Sequence, residues 1–326
     1  MNLQFKGGDV SIYGATTGPG GSDNYYRTGA ISSSALSGAS GRVNIRLDNV
    51  HLDLIADASS STFGKVPAFG LNNPASGRRV NGMTLLGYGD VHITGKSTDG
   101  NAVDARFFDN TDLNGHVSIE GQSKSGTGVV MAGQVNANLV NASITGISES
   151  GNGVVFDAKS GFADLGNNMI DGISNTGAGI QISGSNVTLS NGALNGTVTS
   201  GSGAGVVLTG GGNYTLDGAS VTGTSADGAG VAVNGTLTVN NGTAVEGHAT
   251  GTGNGVSVSG NLATDTGDGI SISGTALTGD GVKVDGDTAL MNATLSPLIT
   301  NGSLPASPLQ SWLVYGRMSH LIAFWP

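Results

Sequence analysis

The chain has no cysteine, 7 prolines in 326 residues and 11% charged residues. Without cysteine there is neither a disulfide framework nor a thiolate metal site. No apolar run approaches the roughly 18 residues that a membrane-crossing helix requires. Positive charge is scarce. Thirteen Lys and Arg against 23 Asp and Glu leave a net charge of −10, which repels phosphate backbones and argues against nucleic acid as a partner.

Glycine is abundant instead, at 58 residues. At that density disorder or low complexity is the first expectation. Two observations oppose it. The hydrophobic fraction is 37%, and the apolar residues recur in register. A tripeptide apolar–x–Gly appears in His92-Ile93-Thr94-Gly95, Ser118-Ile119-Glu120-Gly121, Ser143-Ile144-Thr145-Gly146 and Met169-Ile170-Asp171-Gly172. It continues through Leu194-Asn195-Gly196, Val221-Thr222-Gly223, Val245-Glu246-Gly247 and Ile272-Ser273-Gly274. Successive glycines lie 24 to 27 residues apart. A repeat of this length implies a solenoid in which each unit buries its apolar face against its neighbours.

Two further elements complete the unit. Gly-x-Gly precedes apolar–x–apolar in Gly177-Ala178-Gly179-Ile180-Gln181-Ile182, Gly228-Ala229-Gly230-Val231-Ala232-Val233 and Gly253-Asn254-Gly255-Val256-Ser257-Val258. Alternation with period two marks a strand with one buried face. A third run, as in Asn213-Tyr214-Thr215-Leu216-Asp217, ends at Asn191-Gly192, Asp217-Gly218 or Asn241-Gly242, pairs that accept left-handed backbone. The expected fold is therefore all-β: a right-handed, single-stranded parallel β-helix with three short strands and about 25 residues per coil. The inward ladder should include Ile180, Val206, Val231, Val256 and Val282, and the glycine of the tripeptide should form one corner of a triangular coil. A β-propeller would need a longer repeat, nearer 40 residues.

The ends differ from the middle. Residues 1–88 are expected to form irregular coils with longer loops, 89–296 the regular repeat, and 297–326 an atypical tail. That tail holds Pro297, Pro305, Pro308 and Pro326 and both tryptophans, Trp312 and Trp325. It reads either as a cap or as a segment foreign to the repeat, with the second preferred. The N-terminal loops carry Tyr25, Tyr26, Arg27, Phe63 and Phe69, and loops projecting from a solenoid are its natural contact surfaces. These five residues are the expected partner contacts. Met1 to Gly7 contains no signal h-region, so the chain is expected to be a piece of a longer secreted protein whose signal lies upstream.

The alternation of Gly-x-Gly-Val-x-Val with Val-x-Gly and Asn-Gly turns resembles the β-helical passenger domains of large exported bacterial adhesins. These are the autotransporters and the two-partner-secreted filamentous haemagglutinins. The resemblance covers residues 90–295 well and 1–90 loosely. It implies a non-enzymatic, extracellular rod on a Gram-negative surface, monomeric and attached to host or bacterial surfaces through a glycan or matrix protein. The alternative is a carbohydrate-active β-helix, a polysaccharide lyase or a tailspike-like glycan binder.

No cofactor site, metal site or catalytic constellation emerges. Asp48, His51, Asp53 and Asp57 form the best polar cluster, but read more simply as a solvated outer face. Asp104, Arg106 and Asp109 read as charges at a corner. Asp280, Asp285 and Asp287 lack the period of calcium-binding nonapeptides. The Gly-x-Gly pairs are not followed by helices, which excludes a dinucleotide fingerprint. Asn-x-Ser/Thr at Asn141, Asn186, Asn195, Asn213, Asn234, Asn241, Asn292 and Asn301 follows from composition, with glycosylation left open.

Overall fold

The apolar ladder aligns residue for residue in space. In the computed structural model Ile180 pairs with Val206, Val206 with Val231, Val231 with Val256 and Val256 with Val282, always in parallel register. The first four are essentially inaccessible to solvent and Val282 is partly buried. The structure describes residues 2–15, 31–34, 44–57, 68–72, 84–105, 110–132, 137–139, 141–265 and 267–299. Among them every element is a β-strand, every strand pairing is parallel and there is no helix, hence none able to cross a membrane. The fold is a parallel β-solenoid.

Each coil has three faces. The first carries Val117–Ser123, Ala142–Ser148, Met169–Ser174, Ala193–Val198, Ser220–Ser225, Ala244–Ala249 and Ile270–Ala276. The second carries Val129–Ala132, Val206–Thr209, Val231–Val233 and Val256–Val258, and the third Asn213–Asp217 and Thr236–Asn240. Among the described residues the hydrogen-bonded sheets number two, of 13 and 14 strands, where the sequence suggested three. The reason is that some strands pass a corner without interruption. Ile180–Ser190 serves the second and third faces, and Thr84–Ser97 the third and first.

The corner between the third and first faces turns on left-handed residues. Asn49, Asn141, Asn167, Asn191, Asn241 and Asn292 hold φ between 45° and 59° at the passage from third face to first, and Gly218 holds 61°. Asn tolerates this region because its short side chain bonds locally. One such residue turns the chain without a loop, so Asn44–Asp57 reaches 14 residues and shifts register only between Asp48 and Val50.

One continuous core runs through the coils from Ile45 to Ile272. Its largest fully buried side chain is Tyr214, stacked between Val187 and Leu237 on the third face. The phenol donates to the Gly184 carbonyl at 3.2 Å. Burial pushes its pKa up, an effect that a hydrogen bond with the Gly212 backbone partly offsets.

The tripeptide glycine is not a corner. Gly95, Gly121, Gly146, Gly172, Gly196, Gly223, Gly247 and Gly274 pair in register inside first-face strands, at an inward position. A Cβ on Gly172 would lie 2.1 Å from the Gly179 carbonyl oxygen of its own coil, and on Gly223 2.0 Å from that of Gly230. The glycine row is the thin edge of the core, where the first and second faces converge too closely for any side chain.

Behind that edge sits a buried serine row. Ser123 Oγ donates to the Gly100 carbonyl of the preceding coil at 2.6 Å and accepts from the Gly126 amide at 2.8 Å. Ser148 repeats this with Gly126 and Gly151, Ser174 with Gly151 and Gly177, and Ser225 with Gly203 and Gly228. Each hydroxyl closes its own turn and ties it to the coil before.

The strands before residue 88 join the same sheets: Asn2–Ala15 pairs Asn44–Asp57, and Ile31–Ser34 pairs Phe69–Asn72. At the other end Ala293–Ile299 pairs Ile270–Ala276, placing Pro297 opposite Gly274. A boundary at 296/297 therefore divides a strand that is still in register. Residues 300–326 lie outside the described residues. The eleven successive strands of the first face make a rod of about 48 Å at ~4.8 Å per rung.

Candidate functional site

Side-chain chemistry is concentrated on the outer surface of the N-terminal coils. Arg46 and Asp48 point outward on the third face, Arg46 Nε lying 2.9 Å and 3.1 Å from the two carboxylate oxygens. Gln4 donates to the same carboxylate at 3.1 Å, and the Arg46 guanidinium lies 4.9 Å from the Tyr88 ring centroid. Asp48 is 8% exposed with its oxygens occupied, so this cluster fastens three neighbouring coils together and leaves no acceptor free for chemistry.

Around the Asn49 corner, on the first face, Asp9, His51 and His92 occupy one outward row on successive rungs. His51 Nδ1 is 3.4 Å from Asp9 Oδ1, and the two imidazoles meet edge to face with centroids 5.8 Å apart. Asp53 lies two residues on from His51 and shares its face, as alternation requires. The corner separates Asp48 from these groups, and Asp57 ends the strand. Among the described residues no three His, Asp or Glu side chains are gathered so as to hold a metal ion.

The expected partner contacts fare unevenly. Tyr25, Tyr26, Arg27 and Phe63 lie outside the described residues. Phe69 is corrected: it is fully buried, pairs with Ile31 and Val103, and is a rung of the inward ladder of the second face. Its ring fills the core and offers nothing to a partner. The run Phe69-Gly70-Leu71 carries the same apolar–x–apolar signal as Val231-Ala232-Val233, without the leading Gly-x-Gly.

The other acidic groups are dispersed. Asp104 is buried and accepts from the Asn101 side chain at 2.7 Å, while Arg106 and Asp109 lie outside the described residues. Asp285 pairs with Lys283 at 3.0 Å.

Among the described residues, a groove with a volume of about 270 Å³ lies at the edge between first and second faces. Ile55, Lys96 and Gln122, consecutive members of one outward row, make one wall. Thr98, Lys124 and Glu149, from the turns of three successive coils, make the other. Ala56, Ser97 and Ser123 form the floor. Lys96, Gln122, Lys124 and Glu149 are exposed, and neither lysine forms an ion pair with a described residue. The sequence held a signal for this groove. Lys96 and Gln122 each follow a ladder glycine by one residue, and Thr98, Lys124 and Glu149 each follow one by three.

Comparison with protein-family models, curated proteins and solved structures yielded no match for this chain.

Proposed function

We propose that the chain is a β-helical segment of a secreted or surface-exposed bacterial adhesin, a non-enzymatic rod that attaches through its outward side chains and through the segments 16–30 and 58–67. The observation that carries this reading is the uniform stack. Coil after coil repeats the same inward rows, while the outward rows are dominated by Ser, Thr and Asn, a scaffold suited to reach and display. The resemblance of the Gly-x-Gly-Val-x-Val and Val-x-Gly pattern to exported passenger domains supports an extracellular location and a host or bacterial surface as the partner. The polar groups found on the outer surface support binding more than bond-making. The Arg46–Asp48 pair is internally satisfied, and the histidines at 51 and 92 meet edge to face.

Attachment of beads coated with the full chain to epithelial cells and to bacteria tests the proposal. Retention several times above that of beads carrying a variant with residues 16–30 and 58–67 scrambled is the expected result. Equal retention of the two would remove the reading that these segments attach.

A further inference from the structure

We infer that the groove between the Lys96 and Lys124 rows is a binding site for an anionic glycan, a linear polysaccharide bearing carboxylates or sulfates. The inference names a ligand for the attachment scaffold proposed above and rests on that reading. Its carrying observation is charge placed against the trend of the molecule. In a chain of net charge −10, two ammonium groups flank one groove from opposite walls, one coil apart, without an acid paired to either among the described residues. A polymer lying along the rod meets a cation first on one side and then on the other.

The remaining walls suit a sugar chain. Ile55 presents an apolar surface to the C–H face of a ring, while the exposed Gln122 amide offers both a donor and an acceptor to hydroxyls. Glu149, at the far end, accepts from a hydroxyl and disfavours an anionic group there. Four successive coils line the groove, and three steps of ~4.8 Å give it an axial length of roughly 14 Å, room for a short stretch of polysaccharide.

A peptide is the less suitable occupant. Peptides commonly bind a β-protein by adding a strand to a free edge. Here the strand amides and carbonyls beside the groove are spent on neighbouring coils, as in Lys124 N to Ser97 O at 3.1 Å and Glu149 N to Ser123 O at 3.2 Å. Recognition must therefore proceed through side chains. Long nucleic acids are opposed by the net charge of the whole surface.

Titration calorimetry of the full chain with polygalacturonate oligomers, dextran sulfate and neutral dextran tests the assignment. At least one polyanion should bind, more weakly at higher salt, and neutral dextran should not; which polyanion binds identifies the anionic group. The double variant Lys96→Gln/Lys124→Gln should weaken binding about tenfold or more with an unchanged melting temperature, since neither side chain supports the fold. Glu149→Gln should strengthen it. Absence of heat with both polyanions, equal binding of neutral dextran, or a double variant that binds as well as the parent would overturn the assignment. Cell attachment is scored separately. A chain that binds polyanions but attaches to no cell removes the adhesion reading alone, and one that attaches but ignores polyanions removes the glycan site alone.

Discussion

At the scale of single residues, the buried serines define how a tight coil closes. Ser97, Ser123, Ser148, Ser174 and Ser225 all stand in the pattern Ser-x-x-Gly, so the hydroxyl reaches the amide three residues ahead, at 2.8 to 2.9 Å. Val198 and Ala249 take that place where the turn before Gly-x-Gly is longer by two residues and by one. Ala276 is the exception, because Gly279 follows it at the serine spacing. Ser174→Ala strands the Gly177 amide and removes the donor to the Gly151 carbonyl, so urea unfolding should show a loss of about 1–3 kcal/mol. Ala276→Ser should supply the missing pair and add about 0.5–1.5 kcal/mol. Only part of this was legible in the chain itself. The Ile and Val ladder showed through spacing, but serine is so common here that a buried row does not stand out from a solvated one. Phe69 misled for a related reason: without Gly-x-Gly before it, a core aromatic looks like an exposed loop aromatic.

Among elements, the first-face strand is governed by its glycine. The parity was visible in the sequence, since Ile119, Gly121 and Ser123 stand two apart and must share a face. What hid the assignment is that a residue without a side chain gives no hydropathy signal, so a wedge reads as a turn. Gly172→Ala would place a methyl group 2.1 Å from the Gly179 carbonyl oxygen. Gly172 lies inside a strand paired on both sides, and the Gly179 carbonyl, just before the next strand, is held by the Val154 amide of the preceding coil at 2.9 Å, so neither can withdraw freely. A loss at the upper end of ~1–3 kcal/mol is expected by thermal or urea unfolding. The outward neighbour Asp171 is half-buried and accepts one hydrogen bond from Asn195 at 2.8 Å, so Asp171→Ala should cost less than about 1 kcal/mol. Equal effects of the two substitutions would refute the wedge. The groove was illegible at this scale because its walls come from separate coils. Lys96 and Lys124 are 28 residues apart in the chain and are brought together only by register.

For the whole molecule, stability should follow nearest-neighbour contacts, because each coil touches only the coils before and after it. Deleting residues 224–247 joins Gly223 to His248, which takes the place of its register partner Thr224. Val206 then meets Val256, and Tyr214 meets Leu262. The shortened chain should keep its β-sheet circular dichroism and unfold cooperatively at a modestly lower urea midpoint. Deleting only residues 224–235 removes the second-face strand Val231–Val233 while keeping the third-face strand Thr236–Asn240. That variant should lose far more, and a midpoint equal to that of the full-coil deletion would contradict coil-by-coil assembly.

The direction of the inter-coil hydrogen bonds also governs how such a rod bears load. They run along the axis, so tension between its ends stretches them lengthwise, and the outermost coil separates before the interior is disturbed. A freed coil of about 25 residues extends to roughly 80–90 Å where it had occupied ~4.8 Å. The rod can therefore lengthen many times over by unspooling from one end, while the coils still stacked keep their shape and whatever they hold.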